Sequence, residues 1–247
     1  MGVPEIPVRE GQDGPALEEV AYHRLREALG SGTFLPGDRL SIRRVAAALG
    51  MSSMPARTAL RRLAAEKALE LLPSGTAIVP HLTRAAFVEL SAVRAELEPL
   101  AIRLAAPRLV PSALDELGAL IGAHDDARSR GDAEAVLRHD RDFLFRVYRA
   151  ADAPMLLGLI ETLWLRRGPI FWQLRWVSLA SGGMRHRHEE ILAALRTGDG
   201  EAASAALRRE ILDASLFIQG ATRFPDDDAP ADRLARLGRP LREGGAP

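Results

Sequence analysis

Apolar residues recur at helix-face spacing along most of this chain, with one interruption near residue 70. Over residues 16–29, Leu17, Val20, Ala21, Leu25 and Leu29 share one face. The following SGTFLPGDRL stops that helix, because Gly32, Pro36 and Gly37 are turn residues. Ser41 is placed to cap a helix that buries Ile42, Val45, Ala46 and Leu49. Gly50 suits the left-handed position that ends it. Ser52 caps the next helix, and Pro55 falls in its first turn, where a missing N–H costs little. That helix turns Ala56, Ala59, Leu60 and Leu63 inward and Ser53, Met54, Arg57 and Arg61 outward. The interruption is a pair of short apolar runs, 69–72 and 77–79, around Pro73, Ser74 and Gly75, which predicts a small hairpin.

From Thr83 onward strand signals vanish. The periodicity predicts six or seven helices, at about 84–107, 112–129, 132–151, 154–171, 172–180, 184–197 and 200–220. Pro99 falls inside the first of them and is expected to kink it. Residues 1–15 and 223–247 lack a core-forming pattern and are expected to be loose tails. The expected organisation is a DNA-binding unit over 16–82 and an all-helical unit over 83–222. The fold class is mainly α, with a winged helix-turn-helix followed by a helical bundle.

Composition sharpens this picture in one place. The 247 residues are 47% hydrophobic and 27% charged with zero formal net charge, so the overall balance indicates no polyanion or membrane partner. Yet residues 40–63, LSIRRVAAALGMSSMPARTALRRL, carry five arginines and no acid. Two short helices, a tight turn and one-sided positive charge are what docking on duplex DNA requires. The chain has no cysteine, which excludes disulfides and thiolate chemistry and fits a reducing cytoplasm. No run of about 18 apolar residues is present, so no membrane span is expected.

PGDRLSIRRVAAALGMSSMPARTALRRLAAEKALELLPSGTAIV resembles the winged helix-turn-helix of the GntR superfamily of bacterial transcription regulators. Downstream, VRAELEPLAIRLAA, HDRDFLFRVYRAADAPMLLGLIETLW, HEEILAAL and GDGEAASAAL resemble the helical FCD effector domain of the FadR subgroup. The resemblance places Arg43, Ser52, Ser53, Met54, Arg57 and the wing Gly75 at DNA-contacting positions, with Arg61 on the same face. Ser53 stands where the family usually has Arg, and Met54 where it often has Thr. Losing an arginine base contact removes ~1–3 kcal/mol of discrimination at one base pair, so the operator is expected to differ.

Many FCD domains hold a divalent metal on an Asp, a His four residues later, and two further histidines. The corresponding positions here are Asp140, Leu144, His188 and Glu210. Leu144 cannot ligate, so the resemblance implies a degraded site; Asp140, His188 and Glu210 remain as a trio able to hold zinc, manganese or nickel. His186, two residues from His188, is expected on another helix face and exposed. Without metal, an acidic effector needs arginine, and Arg94, Arg149, Arg166 and Arg167 are candidates. Trp164, Trp172 and Trp176, with Phe171 and Gln173, either wall a pocket or fill the core; a pocket would favour a larger, less polar ligand.

The leading reading is a cytoplasmic homodimer that binds an inverted-repeat DNA operator under control of a small carboxylate effector. A DNA-binding dimer whose C-terminal domain is only a scaffold is the alternative; a closed bundle interior favours it. A metal-dependent hydrolase is the remote third. The chain shows no H-E-x-x-H, G-x-S-x-G or Gly-rich phosphate loop, so the expectation is no enzyme.

Overall fold

The computed structural model describes residues 14–174 and 186–228. Trp176, the remainder of the helix expected over 172–180, the turn at 181–183 and the ends of both tails lie outside them. Among the described residues the N-terminal unit runs α1 (Gly14–Gly30), β1 (Arg39–Leu40), α2 (Ile42–Leu49), α3 (Ser53–Ala65), β2 (Glu70–Leu71) and β3 (Ala77–Ile78). The hairpin forms as expected, and β3 is also paired on its other edge by β1. Arg39 lies opposite Ile78 and Leu40 opposite Ala77. The sequence reading missed β1, which is only two residues long.

Local chemistry explains these elements. Ser41 accepts the Arg44 N–H at the start of α2, and Gly50 ends it at φ +65°. The expected inward residues of α3 are buried. On α1 the buried face is Ala21, Tyr22, Leu25 and Leu29, whereas Val20 is 41% exposed, against expectation. Tyr22 displaces it because its hydroxyl donates to Glu66 at 2.7 Å and the Arg62 guanidinium lies 3.5 Å over its ring.

The C-terminal unit comprises α4 (Arg84–Ala105), α5 (Pro111–Ser129), α6 (Ala133–Ala150), α7 (Pro154–Gln173), α8 (His188–Arg196) and α9 (Gly200–Ala221). Pro99 lies within α4, which continues through it. Thr83, Asp132 and Asp199 cap α4, α6 and α9 by accepting backbone N–H groups. The chain after α9 departs from the loose tail expected there. Phe224 is buried against Phe87, and Arg84 donates to Asp227 and to the Gln219 carbonyl. A single apolar residue in an acidic, proline-rich stretch carries no periodic signal, so this anchor was invisible in the pattern.

The centre of the bundle is polar. Glu98 is fully buried and accepts Arg94 Nε at 2.6 Å and Nη2 at 3.2 Å, Tyr148 Oη at 2.6 Å and Trp164 Nε1 at 3.0 Å. One carboxylate thereby ties α4 to α6 and α7. Burial opposes the charge on Arg94, but Glu98 beside it keeps the guanidinium above its usual range.

Helix α7 belongs to both units. Its Leu165 completes the N-terminal core, and its Glu161 pairs with Arg26 of α1 at 3.1 Å. A Cβ at Gly168 would lie 2.5 Å from the Leu29 carbonyl oxygen, so only glycine allows this approach. Gly32, at φ +79°, meets the Trp172 side chain in the same way.

Two outcomes are expected. Glu98→Ala leaves Arg94 buried without its partner and should destabilise the protein by about 3–5 kcal/mol, read by urea denaturation. Gly168→Ala should cost about 1–3 kcal/mol and shift the thermal midpoint downward, because backbone faces backbone and neither side can yield.

Candidate functional site

The first site is the outer face of α2 and α3. Arg43, Ser52, Ser53, Met54, Arg57 and Arg61 are all exposed, Met54 by 62%. Among the described residues, Arg43, Arg57 and Arg61 have no ion pair or hydrogen bond, whereas the adjacent Arg62 is held by Glu19 at 2.7 Å. Arg62 serves the fold, and the other three are available to a ligand. Ser52 occupies the N-cap of α3 but its side chain makes no cap bond. The first-turn amides thus keep their capacity for an anion such as a phosphate oxygen. Gly75 sits in the wing turn at φ +79°. Its amide donates to the Leu72 carbonyl at 2.9 Å, which closes the turn.

The second site lies inside the bundle. Asp140 of α6, His188 at the start of α8, His186 two residues before it, and Glu210 of α9 each offer a ligand atom within 4.8 Å of the others. His186 Nδ1 and His188 Nε2 both lie 3.3 Å from Asp140 Oδ1, and 3.7 and 3.8 Å from Glu210 Oε1. Neither nitrogen makes an aligned hydrogen bond, and both are buried. Phe143 stacks on His188 at 4.2 Å, and His124 meets His186 edge-on at 4.5 Å. Burial and the neighbouring His186 push His124 down to about 4, so it stays neutral.

Burial would lower His186, but the carboxylates of Asp140 and Glu210 outweigh it and hold it up at about 10. Burial would likewise raise Asp140, yet His186, His188 and Arg167 beside it hold it well below the usual carboxylate range. Glu210 is held down in the same way, against burial, by His186 and His188. The cavity reaching this cluster is about 30 Å³. It has room for a water or two.

The expected residues are only partly brought together. Asp140, His188 and Glu210 do converge. His186, expected to be exposed, converges with them, its side chain only 13% accessible. Leu144 is buried in the main apolar core. Arg94 is committed to Glu98, as described above. Arg167 is buried, donates to Asp140 Oδ2 at 3.3 Å, and lies 3.6 Å over Phe171 and 4.1 Å over Trp164. Trp164 fills the core and bonds Glu98. Arg149 and Gln173 are exposed, and Arg166 lines separate hollows beside Pro80 and His81.

Comparison with known proteins places this geometry in a class. Residues 17–79 match "Bacterial regulatory proteins, gntR family", and residues 89–213 match the FCD domain. The chain belongs to the GntR family of transcription regulators and carries an FCD effector domain. It is 34% identical over 197 residues to the HTH-type transcriptional regulator McbR of Escherichia coli (strain K12), spanning 78% of this chain and 88% of McbR. The solved structure of E. coli McbR/YncC superposes with a TM-score of 0.75 at 29% identity, covering 83% of this chain and 98% of that one. A GntR-type regulator from Rhodococcus sp. RHA1 gives 0.68 at 25% identity, covering 85% and 100%. Among the described residues, no helix is long and apolar enough to cross a membrane.

Proposed function

We propose that this regulator works in the cytoplasm as a homodimer, not as an enzyme, and reads an inverted-repeat operator in duplex DNA. One basic helix reads a half-site, and two-fold symmetry supplies the second. The observation that carries this reading is the exposed face of Arg43, Arg57 and Arg61 without internal partners, with Met54 beside them. In this arrangement α3 enters the major groove, Arg57 reaches a base edge and Met54 meets a thymine methyl. The wing places Gly75 against the minor groove. Arg57→Ala should lower specific operator affinity by roughly 10- to 100-fold, about 1–3 kcal/mol. Its thermal midpoint should not change. Wild-type affinity in a gel-shift titration on an operator selected from random duplexes would rule out this face.

Asp140, His186, His188 and Glu210 fit a divalent ion. The supporting observation is the pair of buried ring nitrogens with no aligned partner beside two carboxylates. Two imidazoles and two carboxylates suit zinc, manganese or nickel. When bound, the ion would act as a structural cation with room for a water beside it, and the four side chains would hold it and join α6, the chain leading into α8, and α9. Titration of the metal-free protein with zinc is expected to show one ion per chain. His186→Ala should weaken it at least tenfold, about 1.4 kcal/mol. Retention of full affinity by that variant would remove His186 from the ligand set.

DNA binding is modulated, in this reading, by a small acidic metabolite. The small cavity at the cluster favours the competing reading, in which the FCD domain is a dimerisation scaffold without ligand response. A change in operator affinity on adding a carboxylate decides between them.

A further inference from the structure

The cavity at the Asp140, His186 and Glu210 cluster is only about 30 Å³, whereas the joint between the two units is roomier. A cleft of about 280 Å³ opens where α1 meets α6 and α7. Arg141, Phe145 and Arg149 line it from α6, spaced by four residues and therefore on one helical face. The guanidinium carbons of Arg141 and Arg149 each lie 5.5 Å from the centroid of the Phe145 ring. Trp164 meets that ring edge-on at 5.0 Å, and Arg26 faces in from α1.

Charge in this cleft is unbalanced. Arg26 is occupied by Glu161 at 3.1 Å and His23 by Glu19 at 2.9 Å. Among the described residues, Arg141 and Arg149 have neither an ion pair nor a hydrogen bond. Glu27 is the one lining acid outside an ion pair, and it is exposed. A second hollow of about 270 Å³ shares Glu27, Gly30, Arg141 and Trp164 with the first. It reaches Arg167, whose Nε is buried without a partner, beside Phe171. Arg138 joins it, set against exposed Glu134 and Asp142. The two hollows together approach the size of a metabolite pocket.

We propose that this interdomain cleft binds a planar aromatic carboxylate. Arg141 and Arg149 take the carboxylate, since a guanidinium can donate two parallel N–H bonds to it. Phe145 and Trp164, each only 3% accessible, form the apolar floor against which the edge of the ring rests. This deepens the ligand-responsive reading by naming its site. The walls come from α1 on one side and α6 and α7 on the other, so an occupant biases how the DNA-binding unit sits on the FCD domain.

The test is calorimetric titration of the full-length protein with 2-naphthoate, with acetate as the aliphatic control. The expected result is saturable 2-naphthoate binding at sub-millimolar concentration and at least tenfold weaker acetate binding. Arg141→Ala and Arg149→Ala should each weaken 2-naphthoate at least fivefold, and Arg128→Ala on α5 should leave it unchanged. Should Arg141→Ala lower the thermal midpoint, Arg141→Met, which keeps the side-chain stem, carries the same expectation. No binding, equal acetate affinity, or binding indifferent to Arg141 and Arg149 overturns the assignment. Operator affinity measured with and without 2-naphthoate separates the two readings. Arginine-dependent binding with unchanged operator affinity upholds the site and overturns its regulatory role.

Discussion

A fully buried carboxylate, Glu98, governs the arrangement of the FCD domain. A charge without water is tolerated only when donors surround it. Glu98 draws those donors from Arg94 on its own helix, Tyr148 on α6 and Trp164 on α7, which fixes three helices about one point. That demand also determines where an effector cannot be held. Arg94 looks like an anion anchor in the sequence, but its guanidinium is spent on Glu98. Arg167 lies nearby, and burial and the Arg94 charge together bring it down to about 10. It remains a cation and answers Asp140. Two buried carboxylates are thus each matched by an arginine, and the interior is filled by its own ion pairs.

Helix α7 then carries this rigidity outward. It holds Trp164 against Glu98, Arg167 against Asp140, and Leu165 within the core of the DNA-binding unit. Gly168 passes the Leu29 carbonyl at a distance that excludes any side chain. Arg26 and Glu161 close the joint beside it. With α7 shared, a change at either end is felt as a change in how α1 docks. A population shift needs only a ligand that prefers one docking over another. The proposed site in the cleft flanking this joint, with Arg141 and Arg149 outside any ion pair, touches the elements that such a preference would move.

Much of this was legible in the sequence, for physical reasons. The winged unit rests on local signals: Ser41 as a cap, Gly50 in the left-handed region, Pro and Gly in the wing, and apolar residues three and four apart. The convergence of Asp140, His188 and Glu210 followed from the family resemblance. What escaped depends on distant parts of the chain. A helical wheel through His188 turns His186 outward, but α8 begins at His188. Two residues before a helix the chain does not follow the wheel, and the imidazole turns inward. Arg94 alone resembles an anion anchor, but Glu98 stands four residues later on the same face and pairs with it. Phe224 and β1 have no period at all and are fixed only by partners far away in sequence.

In the metal-free chain His186 is held at about 10, above its unfolded value of 6.5, by Asp140 and Glu210. That contribution to stability is fully present below 6.5 and is lost as pH rises through about 10. Asp140 and Glu210 are held below their unfolded values, so their contribution is present above that range and fades on acidification. Around neutral pH both conditions hold at once, and the His186 charge lies between the Asp140 and Glu210 carboxylates. A divalent ion entering it must displace the His186 proton, which couples its binding to pH. Leu144 packs in the apolar core while Glu98 and Asp140 are answered by Arg94 and Arg167, so in the proposed reading the response to an anion rests on Arg141 and Arg149 at the joint.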